Sequence, residues 1–142
     1  VRPSLTLLTL LCLHHLAVAA PVPQERLEAD KLVGTWKLVK SSNPPLDGVT
    51  VTLRMELTAS GKMILRQSVN GGPESVYEGE YKMSKNEIGY SIKYPDGTIK
   101  KETLTIKKLN ETDLSVVDPD GIQEDFERLK PKKEDSKPME KK

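Results

Sequence analysis

The chain has 142 residues, with 22 Lys and Arg against 21 Asp and Glu, one Cys and two His. A formal net charge of +1 leaves no concentrated basic face, which nucleic-acid binding needs, so nucleic acid is not an expected partner. A single cysteine excludes an internal disulfide framework.

The first predicted element is a targeting segment over residues 1–19. Val1-Arg2-Pro3 supplies a short positive start, and Ser4 to Leu16 is an apolar run. Ala17-Val18-Ala19 follows as a small-residue cleavage site with Ala at −3 and −1. The apolar run is shorter than the roughly 20 residues that span a bilayer as a helix, so cleavage after Ala19 is expected rather than an anchor. A cut after Ala20 would put Pro21 at +1, where peptidases usually fail. Leu10-Leu11 stand before Cys12 where a lipoprotein signal has small residues. The expected compartment is therefore secreted or periplasmic, and no membrane span is expected after residue 19.

That cleavage removes Cys12, His14 and His15, the only thiol and the only imidazoles. A Ser-His-Asp triad, a cysteine nucleophile and the usual zinc site all need one of these groups. No enzyme activity, catalytic residue, metal or cofactor is expected of the mature chain.

Ala20 to Asp30 reads as a polar leader. Residues 31–129 read as one domain, long enough for a single core. Residues 130–142 carry six Lys, three acids and two Pro without an aromatic, which predicts a disordered charged tail.

Within the domain the periodicity is two. From Val49 to Leu57 odd positions are apolar and even ones polar, as in a strand with one buried face. The same rule predicts strands over 32–40, 62–69, 75–83, 87–94, 98–109, 114–118 and 122–129. Ser60-Gly61, Asn70-Gly71-Gly72, Tyr94-Pro95-Asp96-Gly97 and Asp118-Pro119-Asp120-Gly121 join them as tight turns. Short joints make successive strands antiparallel neighbours. The predicted fold is all-β, an eight-stranded antiparallel up-and-down barrel, because closure removes both sheet edges. An open sandwich is the competing architecture. Gly79, between Tyr77 and Tyr81 on one face, marks a sharp bend. Gln67, Glu102, Glu124 and Arg128 also fall on or near the inward face. Arg128 then either pairs with Glu124 or Glu102 inside, or these residues line an open mouth.

Gly34-x-Trp36 on the first strand, with Arg128 on the last, resembles the lipocalin superfamily. The resemblance implies a Trp that floors the barrel and an Arg lying across it, so Gly34, Trp36 and Arg128 become the expected closure residues. Leu32-Val33-Gly34-Thr35-Trp36, Thr103 to Leu109 and Phe126-x-Arg128 further resemble a paralogous family of short secreted lipocalin-like proteins of planctomycete bacteria. The resemblance covers about residues 31–130. The middle lipocalin motif, usually Thr-Asp-Tyr, has no clear counterpart.

Three other motifs have ordinary readings. Asp118-Pro119-Asp120-Gly121 lacks the later ligands of a calcium loop and reads as a hairpin turn. Glu78 and Glu80 alternate with inward residues and face solvent. Asn110-Glu111-Thr112 is a glycosylation sequon in form and a turn in position.

Two functions remain open. One is binding of a small apolar or amphipathic ligand in the barrel mouth, with Met55, Leu65, Tyr77, Tyr81, Tyr90 and Leu104 as candidate ligand-binding residues. The other is a filled barrel acting through its surface as an extracytoplasmic interaction or structural module. A small hydrophobic ligand is the expected partner of the first; neither names a protein partner.

Overall fold

Alternation builds the strands, and their short turns dictate the order. In the computed structural model, which describes residues 24–131, the elements are α1 (Gln24–Leu32), β1 (Gly34–Ser41), β2 (Val51–Leu57), β3 (Lys62–Val69), β4 (Ser75–Ser84), β5 (Glu87–Lys93), β6 (Ile99–Leu109), β7 (Asp113–Val117) and β8 (Gln123–Leu129). The eight strands form a closed barrel in sequence order, all neighbours antiparallel. Pairing of β1 with β8 excludes the open sandwich: Trp36 stands opposite Arg128 and Leu38 opposite Phe126. The expected signal peptide and nearly all of the expected tail lie outside the described residues.

Turn chemistry works as the residue types demand. Asp118 accepts the backbone N–H groups of Asp120 and Ile122 at 2.9 and 2.8 Å, so its motif is a hairpin turn closed on itself. Asn110 Oδ1 likewise accepts the N–H groups of Thr112 and Asp113 at 2.9 and 2.7 Å. Gly79 has a different reason to be glycine. A Cβ there would collide with the Ser91 carbonyl, because β4 and β5 approach closely at this point.

The barrel has a filled end and an open end. Trp36, Leu57, Met63, Ile88 and Leu114 are almost wholly buried. Their positions near the starts of β1, β3, β5 and β7 and the end of β2 place them together at one end. The β1–β2, β3–β4, β5–β6 and β7–β8 connections surround the other.

The polar leader contains an element that strand periodicity does not foretell. Helix α1 lies at the filled end, and Leu32, its last residue, is fully buried in the core. A nine-residue helix is too short to be stable alone in water. Its burden of polar residues gives no strong amphipathic pattern, so its stability depends on what the barrel offers its C-terminus.

Candidate functional site

The filled end is a cap built from backbone carbonyls. The last carbonyls of a helix have no partner within it. Here Trp36 Nε1 donates to the Leu32 carbonyl at 2.9 Å. The Arg128 guanidinium donates to the carbonyls of Val33 at 2.6 Å, Glu111 at 2.7 Å and Lys31. A cation at a helix C-terminus also meets the favourable end of the helix dipole. Arg128 Cζ lies 4.1 Å from the centre of the Trp36 ring, a cation–π distance. Gly34 has φ +148°, and a Cβ on it would run into Arg128 Nη1. Gly34, Trp36 and Arg128 thus form one unit. Arg128 does not pair with Glu102 or Glu124, which stand at the opposite end: its donors are taken by carbonyls.

The open end holds a cavity of about 210 Å³. Its apolar part is made by Met55, Met63, Leu65, Ile92, Leu104 and Phe126. Its polar part is made by Gln67, Tyr90, Tyr94, Lys100, Glu102, Asp118 and Glu124, with Leu53 completing the wall. Drug-sized ligands use sites of roughly 300–1,000 Å³. This cavity therefore has room for no more than a small molecule, or one end of a longer one.

Its polar wall is organised. Tyr90 on β5 stands opposite Glu102 on β6, and the Tyr90 hydroxyl donates to the Glu102 carboxylate. Lys100 Nζ is 2.8 Å from the other Glu102 oxygen. Burial pushes the Tyr90 hydroxyl pKa strongly up, reinforced by the bond to Glu102. Burial acts to raise Glu102 too, but the hydrogen bonds from Lys100 and Tyr90 outweigh it and hold this carboxyl below its ordinary range. The Glu102 bond in turn raises Lys100. Glu124 moves the other way from Glu102: burial lifts its pKa, and the nearby Asp118 charge adds to the lift.

Of the candidate ligand-binding residues, Met55, Leu65, Tyr90 and Leu104 line this cavity. Tyr77 and Tyr81 do not. Tyr81 lies towards the filled end, where its hydroxyl donates to the Thr58 carbonyl at 2.8 Å. Tyr77 packs edge-on against Tyr94, with ring centres 5.2 Å apart. Alternation assigns a face but not whether a side chain on that face reaches the cavity: Tyr77 and Tyr81 stand opposite Leu65 and Tyr90, which line it, yet turn to other partners. Tyr81 instead borders an open hollow of about 610 Å³ by the β2–β3 turn, whose wall contains no Leu, Ile, Val, Met or Phe. Trp36 does not line the cavity either.

Sequence reasoning does not single out Tyr94, Lys100 and Asp118, though a signal for them exists. Extending the parity of Ile88, Tyr90 and Ile92 reaches Tyr94; that of Glu102 and Leu104 reaches Lys100; that of Leu114 and Val116 reaches Asp118. Tyr94 and Asp118 sit at turns, where turn chemistry is the more obvious reason for their identity, and Lys100 is a charged residue near the start of β6, where solvent exposure is the ordinary reading.

A closed eight-stranded meander, sealed at one end by a Trp–Arg pair and open to a small cavity at the other, defines a lipocalin-like barrel. Residues 32–116, more than half of the chain, match the lipocalin-like domain family, and the chain belongs to that family. It is similar in structure to a lipocalin-like protein from Bacteroides uniformis ATCC 8492, with 16% identity and a TM-score of 0.56 over 70% of this chain and 99% of that one. It is also similar to an uncharacterized protein from Bacteroides eggerthii DSM 20697, with 16% identity and a TM-score of 0.51 over 68% of this chain and 98% of that one. At such identity the likeness concerns the fold. No curated protein matches the chain.

Proposed function

We propose that the protein is an exported, non-enzymatic carrier or receptor that binds a small amphipathic ligand in the open end of its barrel. The observation that carries this reading is the cavity itself: an apolar floor of Met, Leu, Ile and Phe under a wall of tyrosines and charged groups. Such a division suits a ligand with an apolar body and a polar end. The signal-like segment supports export, and so does the resemblance to short secreted planctomycete proteins. The described chain contains no group of three or more His, Cys, Asp or Glu arranged to hold a metal ion, and none of its helices is long and apolar enough to cross a membrane.

Tyrosine emission and displacement of a hydrophobic dye test the reading. Tyr90 and Tyr94 line the cavity, so a bound ligand should change tyrosine emission more than that of Trp36. Binding of a small amphiphile below about 100 μM, near −5.5 kcal/mol, is the expected result. Native mass spectrometry of protein from its own host would identify what it carries.

A second reading has a specific observation behind it. Leu46 is 83% exposed and Ile99 57%, and both lie around the open end with Val69 and Val76. Exposed apolar side chains at a rim suit a barrel that acts through its surface as an interaction module. If no amphiphile binds, this reading replaces the first.

A further inference from the structure

The cavity's wall is unbalanced in charge, and its acids differ in how they are satisfied. Glu102 is engaged by Lys100 at 2.8 Å and by the Tyr90 hydroxyl. Asp118 accepts two backbone N–H groups in its own turn, at 2.9 and 2.8 Å. Glu124 differs from both. It is half-buried on β8 and lines the cavity, and its carboxylate takes no hydrogen bond or ion pair from any described residue. Among the described residues Lys100 is the only cationic side chain in the wall, and Glu102 already holds it. A carboxylate partly removed from water without a donor is in an unfavourable state that an incoming donor relieves.

We infer that Glu124 selects amphipathic ligands carrying a protonated amine. This inference rests on the reading of the cavity as a ligand site and specifies its ligand class. The ammonium sits on the Glu124 carboxylate, within the field of Asp118. The alkyl part lies on Met55, Leu104 and Phe126. A fatty acid of the same length would bring a fourth like charge towards Glu102, Asp118 and Glu124, with only an occupied Lys100 to receive it. Like-charge contact in a partly desolvated site is a strong means of discrimination.

The test compares octylammonium, octanol and octanoate, which share an apolar chain and differ at the head. Calorimetric or NMR titration of the purified protein at pH 7 should show octylammonium binding at least about tenfold more tightly than octanoate, with octanol between them. In Glu124→Gln the preference for octylammonium over octanoate should fall towards unity. A circular dichroism spectrum like that of the native protein shows that the variant is folded.

A second measurement needs no variant. Glu124 faces Lys100 and Glu102 on β6, Asp118 in the β7–β8 turn, and the cavity tyrosines Tyr90 and Tyr94. As pH falls, Glu124 protonates before Glu102, because burial and Asp118 raise the first while Lys100 and Tyr90 hold down the second. Octylammonium affinity should therefore weaken first on acidification, and octanol affinity should not follow it. Equal affinity for the three heads, or preference for octanoate, overturns the inference and leaves the cavity as a ligand site. Binding of none of the three overturns both.

Discussion

Arg128 holds its guanidinium carbon 4.1 Å from the centre of the Trp36 ring, and the same guanidinium binds the backbone carbonyls of Lys31, Val33 and Glu111. One side chain from the last strand thereby joins the first strand, the end of the preceding helix and the β6–β7 turn. The contact seals one end of the barrel that the β1–β8 ladder closes.

Trp36→Ala should destabilise the fold by about 3–5 kcal/mol, the range for a large buried aromatic. Arg128→Ala should cost about 2–3 kcal/mol, since charge-assisted bonds to carbonyls are lost along with the ring contact. A double-mutant cycle by denaturant unfolding should show coupling of about 1–2 kcal/mol, with part of the Arg128 effect surviving in the Trp36→Ala background. Full additivity would mean that the ring contact contributes nothing. Arg128→Lys should rescue little, because an ammonium cannot serve three separated carbonyls from one planar fork.

Gly34→Ala should cost about 1–3 kcal/mol. The added Cβ meets a guanidinium that cannot easily swing away, being held by its carbonyls and by Trp36. The penalty should shrink in an Arg128→Ala background, where the obstacle is gone. A penalty that persists unchanged there would point to the φ of +148° as its source instead.

Leu32→Ala should cost about 2–5 kcal/mol, because the side chain is fully buried beneath a short helix. Hydrogen exchange should show α1 losing protection well before the strands do. Trp36 emission should shift to the red as water reaches the ring. Protection of α1 equal to that of the wild type would show that Leu32 does not anchor it.

The carboxyls of Glu102 and Glu124 should titrate apart, Glu102 below the ordinary range and Glu124 above it, in carbon-detected NMR. The linkage has opposite signs for the two. Glu102 contributes stability that is present above its unfolded pKa and lost as pH falls through its depressed folded value. Glu124 disfavours the folded state when charged, so its penalty fades as pH falls through its raised folded value. Glu124→Gln should therefore stabilise the protein at neutral pH, and the gain should disappear on acidification. A destabilised variant at pH 7 would mean that the carboxylate has a favourable partner.

The strands and their order are legible in the sequence because alternation is a local property. Val51 to Leu57 must turn one face inward wherever the strand lies, and Tyr94-Pro95-Asp96-Gly97 must turn the chain. With short joints, neighbour pairing follows, and closure follows from the cost of two exposed edges. Trp36 and Arg128 are legible through the resemblance of Gly34-x-Trp36 and the last-strand Arg to the lipocalin superfamily. The three carbonyls that hold Arg128 are not, because hydrogen bonds to backbone leave no mark on residue identity. Helix α1 is hidden for a related reason: its sequence is polar, and what stabilises it is a cap contributed by residues distant in the chain. The cavity required the tertiary structure most of all. Tyr77, Tyr81 and Tyr90 share an inward parity, yet only Tyr90 reaches the open space, since Tyr81 turns to the Thr58 carbonyl and Tyr77 packs on Tyr94. Which acids are satisfied depends on the same geometry. The sequence by itself determined an all-β chain of eight strands with an inward face, and its resemblance to the lipocalin superfamily implied the Trp–Arg closure. Only the packed barrel decided that Glu102 is held by Lys100 and Tyr90 while Glu124 is left facing the cavity, because partnership between side chains is a matter of distance in space.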